Sequence, residues 1–516
     1  MTDGLDPQAL PQGWAKATIG DMIAVDGLFG DGDWVESKDQ DPDGDVRLIQ
    51  LADIGDGAFR NRSERFLTGA KADELGCTFL ERGDLLIARM PRPLGRACMF
   101  PGDPKRSVTA VDVCIVRTGE ASVDQRWLMF ATNSPHIRAE MERYQSGSTR
   151  KRVSRRNIAR IQFHVPPLNE QHRIVAELDT QFTRLEAGVA ALKRAQANLR
   201  RYKASVLKAA CEGRLVPTEA EMARAEGRHY EPADVLLERI LAERRAKWEA
   251  EQWEKEIERA KKKAAQATRK AAGLPYYIRD LEPQDWEGVP EEEYAGYLPK
   301  SDKWKQNYKE PELPDTSGLP ELPEGWEWAV VEQLGALGEQ AVLTGPFGTT
   351  LGRSDFVESG VPVLTIGCLT DQGLTIDKAN FVSDEKAANL DRYRVSTGDL
   401  LFSRMATVGR ADMVSPRFEG AIINYHLMRL RLAREAMEPT YFISYVRGSR
   451  SVVDYLNDIN HGVTRPGINT KQLLGMPVAL PPLAEQHRIV AEVELRLSVV
   501  QELEKQVEAA LRRAER

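Results

Sequence analysis

The sequence predicts an α+β protein in which two homologous mixed α/β modules are separated by two long helices, the helices pairing as an antiparallel coiled coil with pseudo-two-fold symmetry. Three observations carry this expectation. Pro166–Leu178 reads PPLNEQHRIVAEL and Pro481–Val493 reads PPLAEQHRIVAEV, with eleven of thirteen positions identical at an offset of 315. The match extends upstream: GDLLIARM (Gly83–Met90) answers GDLLFSRM (Gly398–Met405) at the same offset, and LPQGW (Leu10–Trp14) answers LPEGW (Leu322–Trp326) at 312. A self-match this long is a tandem duplication, and missing it would misassign the whole fold. Finally, the hydrophobic period changes after each Pro-Pro pair, from short β-type runs to helical spacing.

The elements follow in chain order. The first module (1–165) holds β-branched or apolar runs at Val46–Leu51, Asp84–Ala88 and Val111–Arg117, bounded by Gly, Asp and Pro, then a helix around Gln125–Tyr144. Pro166 and Pro167 end its last strand, because neither can donate to a ladder. A helix over 166–215 then carries a narrow apolar seam through Ile174, Leu178, Leu185, Val189, Leu192, Leu199, Tyr202 and Val206. That seam persists for about 40 residues, roughly 60 Å at 1.5 Å per residue. Residues 216–321 add a charged helical arm and a Pro-rich linker with no counterpart later in the chain. Net charge is +7 over 184–270 and −8 over 271–325, which reads as a solvated arm and a tether, with a docking surface for a partner as the other reading. The second module (322–480) repeats the first, with a run at Ile422–Leu432 and a helix around Pro439–Leu456. The distal helix (481–516) offers a matching seam at Ile489, Val493, Leu497, Val500, Val507 and Leu511.

Composition bounds the function. At roughly 100–200 residues per domain, about three globular units are expected. The chain of 516 residues is 42% apolar and 29% charged, with a mean hydropathy of −0.44. No apolar run approaches the roughly 18 residues of a membrane span, and the N-terminus lacks the basic and apolar regions of a signal peptide. A cytoplasmic setting, bacterial or archaeal, is expected. The five cysteines lie far apart without a CxxC pair, which speaks against a disulfide framework or a structural zinc site. Net charge is −7, so any nucleic-acid surface must be local.

Catalytic motifs are not found. No GxxxxGK[ST], strand-following GxGxxG, HExxH or GxSxG occurs, so no catalytic residue, cofactor or metal is expected in this chain. Asp39, Asp41, Asp43 and Gly44 imitate the start of a calcium loop, but Gln50 stands where the closing carboxylate belongs. His172 and His487 are repeat-equivalent helix-start residues suited to a surface or interface role.

What remains is recognition chemistry. Arg143–Arg160 contains seven basic and no acidic residues, centred on SGSTRKRVSRRN, where Thr149, Arg150, Lys151, Arg152, Arg155 and Arg156 are candidate DNA contacts. Small residues permit close approach, and guanidinium groups suit phosphate or guanine. A solvated basic loop is the plain alternative. The counterpart HGVTRPGINTK keeps Thr464, Arg465 and Lys471 while losing most of the charge, as shared phosphate anchoring with different base contacts would require. Arg89 and Arg404 after GDLL, and Arg96 and Arg410 in the next Gly-Arg pairs, complete the set. The post-GDLL arginines serve equally well as salt-bridge residues.

With the paired PPLxEQxRI signatures, GDLLxxR, the Gly-x-Thr-Arg loops and VLKAACEGRLVP (Val206–Pro217), the whole chain resembles the specificity subunit of a type I restriction–modification system. The resemblance implies that each module is a target-recognition domain reading one half of a bipartite, asymmetric double-stranded DNA sequence. It implies a coiled coil that sets half-site spacing and binds two methyltransferase subunits. Those partners would hold S-adenosylmethionine and methylate adenine, and motor-nuclease subunits using ATP and Mg would add cleavage. It transfers no base-contacting residue. The competing reading is a coiled-coil scaffold whose two modules bind protein; salt-dependent duplex binding separates the two.

Overall fold

The structure, a computed structural model, describes residues 10–91, 93–120, 123–147, 151–337, 340–370, 373–405, 409–464 and 466–515. It divides into two units that meet in sequence at Ala190 and Ala191.

The first unit contains strands β1 (Ala15–Ala17), β2 (Leu28–Asp31), β3 (Val46–Ile49), β4 (Phe66–Leu67), β5 (Leu85–Ala88), β6 (Ala97–Met99), β7 (Arg106–Thr109), β8 (Val113–Arg117) and β9 (Phe163–Val165). Strands β1 and β9 pair antiparallel, bringing the two ends of the module together. An antiparallel sheet has the order β2-β8-β5-β6, and a smaller one the order β4-β3-β7, with β3 and β7 parallel. All four residues of β5 are buried, which is why GDLLIA shows no polar alternation. Leu85 and Ile87 face a core with Trp127, Leu128, Ile137 and Met141, whereas Leu86 and Ala88 face another with Ile49, Ile54, Phe100 and Ile115.

Its helices are α1 (Gly69–Glu74), α2 (Gln125–Asn133), α3 (Pro135–Arg143), α4 (Arg155–Ile158) and the first half of α5 (Leu168–Cys211), which continues into the second unit. The single helix expected around Gln125–Tyr144 is two helices. Ser134 leaves the helical conformation and caps α3, and Pro135 at its first position cannot continue α2.

The second unit contains β10 (Glu327–Val330), β11 (Val342–Thr344), β12 (Val361–Leu364), β13 (Asn380–Val382), β14 (Leu400–Ser403), β15 (Ala411–Met413), β16 (Ile422–Ile423), β17 (Leu427–Leu430) and β18 (Pro477–Leu480). Every pairing of the first module recurs: β10 with β18, the antiparallel order β11-β17-β14-β15, and β12 flanked by antiparallel β13 and parallel β16. The second copy adds a short strand at Phe356–Val357 and a hairpin pairing Leu369–Thr370 with Gly373–Leu374. The expected run Ile422–Leu432 is two strands in different sheets, because the chain turns at Asn424, whose carbonyl accepts from Leu427 N.

Helices α6 (Glu219–Glu226) and α7 (Ala233–Ala271) precede this module, and α8 (Asp384–Ala388), α9 (Pro439–Gly448), α10 (Arg450–Asn460), α11 (Thr470–Leu474) and α12 (Leu483–Glu515) answer α1–α5. The helix expected at Pro439–Leu456 likewise divides, at Ser449.

The end of α5 (Val206, Leu207, Ala210, Cys211) packs into the core of the second module with Ile489 and Val493 of α12 and with Tyr441, Phe442 and Tyr445. Tyr202 meets Arg496, whereas Glu219 meets Glu485 and Arg488. Partners rise along one segment as they fall along the other, so these stretches run antiparallel. The seam itself needs correction at its start. Ile174 packs half-buried against the first module's core, and Ile489 and Val493 lie inside the second's. The physical reason is that each helix begins where its module's last strand ends, so its first turns face that module. Val500 is buried; Leu178, Val189, Leu192, Leu199 and Val507 are half-buried; Leu185 stays 45% exposed.

The arm is no free tether. Ala233, Leu236, Leu237 and Ile240 of α7 join the second module's core. The acidic segment after α7 folds back along it: Trp304 stacks on Trp248 and Trp253, Lys262 lies 4.3 Å over Trp286, and Arg269 bonds Asp285 at 2.8 Å. Opposite charge and cation–π attraction account for the fold-back.

Each signature explains itself in packing. Gln171, fully buried, accepts from Asp124 N at the start of α2 and donates to Pro166 O. Gln486 does the same with Glu438 N at the start of α9, and donates to Ala436 O and Pro481 O. A buried backbone group left without a partner costs about 1–3 kcal/mol. Gln486→Ala, which orphans Glu438 N, is therefore expected to lower the urea midpoint clearly, and His487→Ala, next to it but exposed, to leave it nearly unchanged.

Candidate nucleic-acid interface

In both modules the two segments that sequence reasoning singled out separately lie together. The post-GDLL arginine follows the end of β5 or β14, and its carbonyl accepts a hydrogen bond from the loop before the last strand. Val153 N donates to Arg89 O at 3.0 Å, and Ile468 N donates to Arg404 O at 2.9 Å. In the first copy, paired backbone bonds between Ser146 and Arg152 close this loop. Gly147 and Gly462 take φ of +100° and +71°, a region in which a side chain is strained, which explains why the repeat keeps glycine at both.

The side chains differ between the copies. In the first, Asp31 at the end of β2 holds both Arg89 (2.5 Å) and Arg155 (3.1 Å), and Arg155 also donates to Phe29 O. Arg89 is thus a buried, neutralised cation rather than a free one, and Arg155 is half committed. Lys151, Arg152 and Arg156 are exposed and form the available basic surface, with exposed Arg160 beyond them. Thr149 and Arg150 lie outside the described residues, as does Arg465 in the second copy.

In the second module the strand register places Thr344 at the position of Asp31, and Thr470 corresponds to Arg155. Their hydroxyls meet at 3.3 Å where the first module has an ion pair. Without that carboxylate, Arg404 donates to Tyr425 O and lies 5.2 Å over Phe347. Phe347 and Tyr425 are 57% and 44% exposed with rings 6.0 Å apart. Among the described residues, buried Arg404 Nε and His426 Nδ1 have no hydrogen-bond partner. Burial, with the Arg404 charge adding to it, holds His426 below its ordinary pKa. Thr464 and Lys471 are exposed, Lys471 standing 4.0 Å from Glu312.

Arg96 is a correction. It is buried and donates to the carbonyls of Leu51, Ile54, Met90 and Pro93, so it braces loops instead of facing a ligand. Arg410 similarly turns half-buried onto Leu369 O. Sequence reasoning missed Asp31, Phe347, Tyr425 and His426. Their importance arises from proximity across strands, for which no local motif exists.

Comparison with known proteins decides the family. The type I restriction modification DNA specificity domain matches residues 11–192 and again 347–513. The chain belongs to this family. It is similar to the putative type I restriction enzyme MjaX specificity subunit of Methanocaldococcus jannaschii, 26% identical over 39% of this chain and 46% of that protein. It is also similar to the EcoKI specificity subunit of Escherichia coli, 28% identical over 30% of this chain and 35% of that one. The chain thus spans less than half the length of these two relatives. The EcoEI specificity subunit of Escherichia coli aligns at 21% identity over 98% of this chain and 81% of its own. Among solved structures, the HsdS subunit from Thermoanaerobacter tengcongensis shares the fold (TM-score 0.54, 16% identity, 99% and 97% covered). A chain from work on complex assembly and conformational transition of the type I R-M system shares it too (TM-score 0.57, 16% identity, 99% and 96% covered). Both halves of the chain therefore carry the DNA specificity domain. Among the described residues no helix is long and apolar enough to cross a membrane.

If the loop touches phosphate, Lys151→Ala combined with Arg152→Ala removes two contacts. The log–log salt slope of duplex binding, near −0.9 per phosphate, should then shrink by about 1.8. Titrations across a salt series check this, and an unchanged slope would detach the loop from the backbone.

Proposed function

We propose that this specificity chain reads a bipartite, asymmetric DNA target, one half with each module, and scaffolds two adenine methyltransferase subunits. The observation that carries this reading is the pairing of a common backbone frame with unlike chemistry. Both copies join a strand-end arginine to a glycine-turned loop, but one surface is basic and the other aromatic. A common frame suits similar docking on two half-sites, and different side chains suit different bases. Two modules on one chain also raise the effective concentration of the second for its half-site.

Phe182 and Leu185 on α5 and Leu495, Val499 and Leu503 on α12 are exposed apolar residues on otherwise polar helices, and they supply surface for the methyltransferase partners. S-adenosylmethionine would be held by those partners. In a complete restriction system, motor-nuclease subunits would bring ATP and Mg. The setting for such a complex is the cytoplasm of a bacterium or archaeon.

The deciding experiment exchanges the second module (322–480) for that of another specificity subunit and maps methylated adenines after co-expression with the methyltransferase. One half of the recognised sequence is expected to change while the other persists. Change in both halves, or duplex binding flat in salt, would favour a protein-binding scaffold.

A further inference from the structure

Each module carries an exposed aromatic ring at the same place in the common frame. β2, which ends at Asp31, runs on into Gly32-Asp33-Trp34, and β11, which ends at Thr344, runs on into Gly345-Pro346-Phe347. The backbones match bond for bond at the glycine: Gly32 N donates to Val113 O at 2.8 Å and Gly345 N to Leu427 O at 3.2 Å, the first residues of β8 and β17. Both glycines are buried, and a Cβ on either would come within 2.2 Å of a backbone oxygen, that of Ala110 after β7 or of Asn424 after β16. Only glycine permits so close an approach, and the approach clamps the base of each tip. Asp33 N adds a bond to Thr109 O at 2.7 Å, and Pro346 is itself buried.

Past the clamp both rings stand in water: Trp34 is 70% exposed and Phe347 57%. A single exposed ring needs no explanation, but the same ring-bearing tip, clamped the same way in both copies, does. Both tips adjoin the candidate interface. Asp31, three residues before Trp34, holds Arg89 and Arg155, and the Arg404 guanidinium lies 5.2 Å over Phe347. A planar apolar ring beside cations suits nucleic acid, with phosphate drawn to the charges and a base face to the ring. Trp in one copy and Phe in the other is an exchange that stacking tolerates, because every base has a π face, whereas a hydrogen-bond contact would need a fixed donor or acceptor.

We infer that Trp34 and Phe347 are the stacking wedges of their modules: each inserts its ring beside a base of its half-site and unstacks that base from its neighbour. The inference rests on the proposed reading of DNA by both modules, and goes beyond it in stating what the rings do to the duplex. Prising bases apart needs a probe that does not yield, which the glycine clamp supplies, and contact between ring and base repays the lost stacking. Pyrimidine–purine steps unstack most easily, so each half-site is expected to place such a step at its wedge.

The test uses the full-length chain co-expressed with its methyltransferase and a duplex carrying the sequence mapped for that complex, the module exchange having assigned its halves. Fluorescent base analogues that brighten on unstacking are placed in turn along each half, the methylated adenine excepted because the methyltransferase flips it. A severalfold rise is expected at one step in each half. Trp34→Ala should abolish it in the first module's half alone, and Phe347→Ala in the second's alone. Each should weaken specific binding about tenfold with the salt slope unchanged, since no phosphate contact is lost. Trp34→Phe and Phe347→Trp should keep the signal, and all four variants should keep the wild-type urea midpoint, because both rings are exposed. Sequence-specific binding with no analogue responding, or with a response indifferent to both alanine variants, would overturn the inference and leave the reading of DNA intact. Duplex binding flat in salt would overturn both.

Discussion

The structure turns on a buried side-chain amide. Gln171 and Gln486 each stand just after a Pro-Pro pair and bridge the first turn of a long helix to the start of a module helix. Their polar atoms are removed from water and fully committed, so the helix cannot rotate or slide without orphaning buried backbone groups. The prolines add a second restraint by ending the strand and fixing the backbone at the helix entry. A recognition module joined to its helix by a hinge would present its face in many directions. Joined through this amide, it presents one.

On that rigid frame the surface chemistry is free to differ. The core strands β5 and β14 are buried on both faces and tolerate little change, and they deliver an arginine to the same place in each module. What surrounds the arginine is not part of either core. An aspartate holds it in one copy; threonines and exposed aromatic rings stand around it in the other. Exchanging a carboxylate for hydroxyls changes which partner the guanidinium needs, while the strand register beneath is unaltered. The shared buried core and the differing surface chemistry thus occupy different residues.

The arm between the copies illustrates how charge patterns mislead when taken one segment at a time. A basic helix and an acidic, proline-punctuated stretch each look solvated alone. Together they are complementary, and Trp248, Trp253 and Trp304 supply the apolar contact that fixes them. The seam of the long helices shows the same thing: Ile174 and Ile489 have coiled-coil spacing but are covered by their own modules, because periodicity reports that a face is buried and not against what.

Sequence alone settled what repeats in itself: the duplication, the alternation of module and helix, the two signatures, the GDLL strands and the basic loop. These are legible because each depends on residues close in the chain, or on a match between two stretches of it. Tertiary structure alone decided which candidate arginines face outward. Arg96 spends its donors on four carbonyls and Arg89 is neutralised by Asp31, whereas Lys151 and Arg152 remain at the surface. An arginine's role is set by the acceptors that the fold brings within hydrogen-bond reach, and several of those, Leu51 and Ile54 for Arg96 and Asp31 for Arg89, lie tens of residues away in sequence.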